Sequence, residues 1–226
     1  LTTDLELATK HKYKLMSGEV GINVTAVTGL LDDEGKSSRM AGAAAKLTRE
    51  GQNYRQVWKS KMERGTRIHG HCEAWLRGEN VNVIRDDQPF MDGLAKFFYD
   101  LKPQPVEIER VVLSHLGYGG RFDSILRFPT GEQWLVDLKS GSPHFVEHSC
   151  QLAAYAKADG MARYDREGQL MGLEPLPRID YAGCLYLTED GDYTLTEYPV
   201  ERAWPIFTHL LDVYKGLVDL KAAANA

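Results

Sequence analysis

The side chains best equipped for chemistry in this sequence are two aspartates and a lysine: Asp123, Asp137 and Lys139. Asp137-Leu138-Lys139 ends a run of tryptophan, leucine and valine that reads as a strand. Residues two apart on a strand project from one face, so Asp137 and Lys139 stand together. If the preceding strand returns antiparallel through the Pro129-Thr130-Gly131 turn, Asp123 lies near Asp137 in the ladder. Neighbouring carboxylates repel unless neutralised, and a hard divalent cation such as Mg²⁺ or Mn²⁺ does this through oxygen ligands, to which the backbone carbonyl of Leu138 can add one more. Lys139, beside a metal-bound water and a phosphate, can position the attacking water and stabilise charge building on phosphorus. The chemistry that suits this set is phosphodiester hydrolysis. A bare D-x-K triplet can equally be a surface ion pair on an edge strand. Trp134, Leu135, Val136 and Leu138 argue for a half-buried strand instead, where ionic groups need a reason to be present.

The flanking elements bring further polar groups. Ser142-Pro143 reads as a helix start, a capping serine followed by proline at the first helical position, and the segment runs to Ala158. Along it His144, His148, Gln151 and Tyr155 fall at helical spacing and form one polar stripe expected to face the strand ends. Gln151 and Tyr155 can then bond Lys139, a metal-bound water or a phosphate oxygen, while His144 and His148 can touch the phosphodiester. Upstream, Glu50 to Leu76 reads as one or two amphipathic helices broken near Gly65; in it His69 and Glu73 share a face, and either can complete the metal shell. Phe90 to Leu101 is a further helix, stopped by Pro103. Val106–Leu113, Gly119–Phe128 and Gln133–Lys139 make a three-stranded meander. Tyr181–Leu187 and Tyr193–Tyr198 are two more strands around Asp190-Gly191, and Ala203–Ala224 is a closing helix. No repeat or linker divides the chain, so one domain is expected: a helical part over 1–64, a core over 65–200 and a C-terminal helix over 201–226.

Taken together, G-T-x-x-H at Gly65–His69, G-R-x-D at Gly120–Asp123, D-x-K at Asp137–Lys139 and Q-x-x-x-Y at Gln151–Tyr155 resemble the PD-(D/E)xK nuclease superfamily, in the RecB-like branch that includes phage exonucleases. The match spans residues 65 to 155 in the order helix, strands, helix. It implies an α/β fold with a restriction-endonuclease-like core, a small mixed β-sheet flanked by helices. It also implies His69, Asp123, Asp137 and the Leu138 carbonyl as metal ligands, with Glu73 the alternative to His69, and Mg²⁺ or Mn²⁺ as the cofactor. Lys139 would be the catalytic lysine, and Gln151 and Tyr155 would support the site. Glu109 stands where this branch often carries an acidic residue. Phe122 replaces the proline of the family name, and the cysteines that bind an iron–sulfur cluster in some relatives are absent. The activity implied is a metal-dependent deoxyribonuclease, an exonuclease, acting in DNA recombination, repair or phage genome processing. Its partners would be DNA and either further copies of itself or a recombination or replication protein.

Arg121 shares the Asp123 face at two-residue spacing and is a candidate phosphate contact, with Gly119-Gly120 allowing close backbone approach. Between Lys46 and Arg77 eight basic residues face three acidic ones; this positive segment, with Lys59, Lys61, Tyr54 and Trp58, suits DNA guidance by phosphate attraction and stacking, or else is a solvated helix face over core residues such as Met62. Two other motifs compete. Gly29 to Ser37 resembles a phosphate-binding loop, but with five residues between its glycines and three acids among them. His144-Phe-Val-Glu147-His148 fits the H-x-x-E-H pattern of inverted zinc peptidases, which would need a third ligand such as Glu174 or Glu197. A non-catalytic DNA-binding module of the same fold is the third alternative.

Composition bounds the rest. With 226 residues, 43% of them hydrophobic, the chain can bury a core without staples. Three scattered cysteines make neither a disulfide framework nor a four-cysteine metal site and favour a reducing compartment. No apolar run nears the ~18 residues of a membrane span, and the first residues mix both charge signs, so a cytoplasmic protein without a membrane partner is expected. The first residue is Leu1 rather than Met, so a trimmed N-terminus is expected.

Overall fold

Between Gln104 and Lys139 the chain alternates in character and turns at Gly117 and Gly131, whose φ of 89° and 94° is reached without cost only by glycine. In the computed structural model, which describes residues 3–31, 36–141 and 143–224, this stretch is an antiparallel meander. It is preceded by α1 (Asp4–Thr9), β1 (Tyr13–Lys14), β2 (Val20–Asn23), α2 (Val24–Thr28), α3 (Lys36–Arg49), α4 (Tyr54–Leu76) and α5 (Gln88–Leu101). The meander itself is β3 (Gln104–Ser114), β4 (Tyr118–Arg127) and β5 (Gln133–Lys139). After it come α6 (Phe145–Ala156), β6 (Gly160–Tyr164), β7 (Leu170–Glu174), β8 (Tyr181–Leu187), β9 (Tyr193–Glu197) and α7 (Val200–Ala224).

Among the described residues nine strands form one mixed sheet in the order β7-β6-β3-β4-β5-β8-β9, with β1 on β2 and β2 parallel to the start of β4. Mixed and helix-flanked, it matches the expected class but is not small. The additional strands β1, β2, β6 and β7 have two to five residues each, too short for a clear period. Apolar side chains alternate between the two faces. Val24, Phe122, Leu135, Leu152 and Phe207 bury one face under α2, α6 and α7; Val136, Leu138 and Leu185 bury the other against Ile68, Phe90, Leu94 and Phe97 of α4 and α5.

One feature of this sheet makes room for a site. β3 pairs with β4 along its whole length, but the opposite edge of β4 is shared: β2 pairs at Tyr118 and Gly119, and β5 pairs from Ser124 onward. Gly120–Asp123 have no strand beside them on that edge among the described residues, so the sheet is split there and side chains from both layers can enter.

The helix expected to break near Gly65 does not. Asn53 caps α4 by accepting from the N–H groups of Arg55 and Gln56, and fully buried Ile68 anchors its apolar face, outweighing the ~1 kcal/mol cost of an interior glycine. Gly65 faces the chain after β5, where an added Cβ would stand 3.5 Å from Ser140 Oγ. The division expected at residue 64 therefore cuts through α4, and the segment before it holds β1 and β2 as well as helices. The helix after the meander starts at Phe145 rather than Pro143, with His144 at its N-cap and no side-chain cap bond. Its expected cap, Ser142, lies outside the described residues, as do residues 32–35 of the glycine-flanked stretch Gly29 to Ser37. No described helix is long and apolar enough to cross a membrane.

Candidate active site

Polar side chains gather where the edge of β4 is open. The β4–β5 ladder ends with Ser124 opposite Val136, and Asp123 and Asp137 are the next residues of the two strands, just past the last paired position. Asp123 Oδ2 accepts the Leu138 N–H at 2.7 Å and lies 3.3 Å from His69 Nδ1 on α4. Glu109 of β3 reaches the same point with φ at 51°, a left-handed conformation that costs a non-glycine residue of order 1–3 kcal/mol and is characteristic of functional positions. Ligand atoms of His69, Glu109 and Asp123 all lie within 4.8 Å of one another. Arg121 Nε pairs with Glu109 Oε2 at 3.0 Å.

Beside this group runs a second chain of contacts. Lys139 Nζ is 2.5 Å from Asp137 Oδ2 and donates to Gln151 Oε1 at 3.3 Å, while Gln151 Nε2 donates to the Tyr155 hydroxyl at 3.0 Å. Tyr155 can lie against β4 because position 120 is glycine; a Cβ there would stand 2.5 Å from its ring. All these groups line a cleft of about 430 Å³, closed on its far side by His11, Tyr13, Asn23 and Thr25.

The electrostatics follow from crowding acids in a half-dry place. The Asp123 charge drives the His69 imidazole up to about 9. Burial pushes Glu109 up to about 7, reinforced by Asp123, and raises Asp137 as well. Asp123 stays below the ordinary carboxylate range because His69, Lys139 and the Leu138 N–H together outweigh its burial. Burial opposes the Lys139 charge, yet Asp137 and Asp123 hold the ammonium protonated well above its usual range. Such a set favours an added cation. Two hard carboxylate donors and one imidazole nitrogen within a shared reach are a donor set that Mg²⁺ or Mn²⁺ accepts.

Several expected positions turn out differently. Asp137 is not in the mutually close group; its carboxylate is held by Lys139, and Glu109 takes the third place. Leu138 meets the group through its N–H. Glu73 stands outside the mutually close group: its Oε1 accepts from the Arg77 guanidinium one turn on at 2.9 Å, although it lines a small cavity with His69, Glu109 and Asp123. His148, expected as a DNA contact, is instead buried against Tyr186 and Tyr198, with Nδ1 2.7 Å from the Tyr186 hydroxyl. The reason is that α6 crosses the sheet: its first turns lie over β8, its last over β4, and only Gln151 and Tyr155 reach the cleft. His144 is the N-cap of α6 and its ring packs edge to face on His148 at 5.7 Å, but His144, Glu147 and His148 form no zinc-type cluster among the described residues. Glu174 is paired with Arg110. Lys59 is exposed and pairs with Glu63 at 3.8 Å, whereas Lys61 lines a cleft beside the site. Met62 is exposed at the cleft rim, not core, and Tyr54 and Trp58 pack edge to face, half-exposed. His11, Asn23 and Thr25 were out of reach of motif reading, whereas Glu109, marked only by the acidic position of the resembling branch, falls in β3 opposite Asp123 once the ladder register is known.

No family model and no curated protein matches this sequence. Among solved structures the chain is similar to the one titled "Crystal structure of SSO0001", at 16% identity and a TM-score of 0.43 over 95% of this chain and 82% of that one. It is also similar to "LHK-Exo in complex with dAMP", at 12% identity and a TM-score of 0.34 over 91% of this chain and 95% of that one. What the structure defines is a mixed α/β protein whose single sheet is split around a histidine–carboxylate cluster and a half-buried lysine.

Proposed function

We propose that this protein is a divalent-metal-dependent nuclease that hydrolyses phosphodiester bonds in DNA, acting as an exonuclease of the PD-(D/E)xK type. The observation that carries the reading is the His69, Glu109 and Asp123 group, its ligand atoms within 4.8 Å of one another, beside the Asp137–Lys139 pair in an open cleft. His69, Glu109 and Asp123 would hold Mg²⁺ or Mn²⁺, with Asp137 and the Leu138 carbonyl as the further oxygen donors. When bound, the metal supplies Lewis-acid polarisation of the phosphate and a more acidic water.

The chain's own residues do the rest. Lys139 stays protonated beside Asp137 and supplies positive charge where the phosphorane would build up negative charge. Gln151 fixes the ammonium through its Oε1 and is itself held by the Tyr155 hydroxyl, so the lysine is held in place before substrate arrives. Arg121, held on Glu109, offers a guanidinium to a phosphate oxygen at the cleft wall.

The test is linear DNA incubated with the protein and Mg²⁺ or Mn²⁺, with EDTA and Asp137→Ala as controls. Metal-dependent loss of DNA, absent from both controls, supports the reading. Intact DNA in every lane, together with a gel shift, would instead favour a non-catalytic binding module.

A further inference from the structure

A second cleft, of about 700 Å³, opens on the other side of α4 and meets the first at Met62, Gly65, His69 and Lys139. Its walls are α4, Ser140 and Gly141 after β5, and the end of β8 with Thr188 and Glu189. Arg64 stands in this wall. Its guanidinium lies 4.8 Å over the Phe90 ring, and Nη2 reaches Glu189 Oε1 at 2.8 Å. Its Nε is buried and has no hydrogen-bond partner among the described residues. The ring fixes the fork, while Glu189 holds it weakly: the Glu189 side chain is 72% exposed, so water screens the pair. A guanidinium with one arm on a displaceable carboxylate and one buried donor unmet is set up for a different anion, and arginine binds carboxylate and phosphate with the same geometry. Arg64 precedes His69 by five residues. Five residues advance about 7.5 Å along the helix and turn about 140° around it, so the two side chains leave α4 on different sides, Arg64 into the second cleft and His69 where the two clefts meet.

We propose that Arg64 binds another backbone phosphate of the strand that is cut, displacing Glu189, so that a nucleic-acid strand occupies both clefts where they join. This rests on the nuclease reading and assigns the other half of its substrate site. Lys61 adds positive charge to the same wall.

Binding of a fluorescein-labelled oligothymidylate of about twelve nucleotides, followed by anisotropy in EDTA across a salt series, tests it. Arg64→Ala should weaken affinity about tenfold and lower the salt slope by about 0.7, the loss of one phosphate contact on a single strand. Glu189→Gln, which removes the competing carboxylate, should tighten binding about two- to threefold; misfolding cannot produce that gain. Affinity and slope unchanged in both variants overturn the proposal. If the wild type still cleaves DNA with Mg²⁺ under that outcome, the nuclease reading stands without it; a wild type that neither binds nor cleaves loses both.

Discussion

Replacing Asp123 by asparagine in the metal-free protein tests the electrostatics of the site directly. The amide keeps an oxygen that can accept the Leu138 N–H, at 2.7 Å in the wild type, but removes the charge 3.3 Å from His69 Nδ1. His69 titrates at about 9 instead of 6.5 because of that charge. A group whose folded value is raised adds stability that is fully present below its unfolded value and is lost as the pH climbs through the folded one. The wild type should therefore lose stability between about pH 6.5 and pH 9, as the His69–Asp123 attraction disappears. The shift corresponds to about 3 kcal/mol at 1.36 kcal/mol per unit. The His69 side chain is 34% exposed, so screening reduces the expectation to about 1–2 kcal/mol. Urea unfolding in EDTA at pH 6, 8 and 10 measures it. Asp123→Asn should be less stable than the wild type by that amount at pH 6, and the gap should close or reverse by pH 10, where the asparagine also relieves a buried charge. A variant whose deficit is the same at all three values would show that His69 and Asp123 are not coupled as described.

Four further outcomes follow from the geometry. Gly120→Ala places a Cβ 2.5 Å from the buried Tyr155 ring and should cost about 1–3 kcal/mol in urea unfolding while lowering cleavage, since the displaced ring carries Gln151 with it. Lys139→Ala should reduce kcat on linear DNA by about 10²–10⁴ with little change in KM, measured by initial rates. Glu109→Gln should raise the Mg²⁺ concentration needed for half-maximal cleavage, read from a metal titration; an unshifted midpoint removes Glu109 from the ligand set. His144→Ala should leave DNA cleavage intact, because His144 lies before α6 and lines neither cleft; loss of a peptidase activity instead would reopen the zinc reading.

Much of the cleft was legible from spacing. The two-residue period of a strand put Asp137 beside Lys139, the turn at Gly131 folded Asp123 back toward them, and helical spacing placed Gln151 and Tyr155 on one face, where the structure joins Lys139, Gln151 and Tyr155 by hydrogen bonds. His148 shows the boundary of that reasoning. It shares a helical stripe with Gln151, yet it is buried under Tyr186, because where α6 crosses the sheet is decided by Leu152, Ala153 and their neighbours packing against β4 and α7.

The residue pattern alone determined α5, α6, α7 and the long strands, the antiparallel meander and the identity of most reactive side chains, since periodicity and turn glycines are local properties. Only the tertiary structure decided that Glu109 rather than Asp137 joins His69 and Asp123, that β2 and β5 leave a gap along β4, and that Arg64 faces a second cleft. Periodicity tells which side of its own element a residue occupies. What stands opposite depends on ladder register and helix crossing, which are settled by packing spread across the whole core.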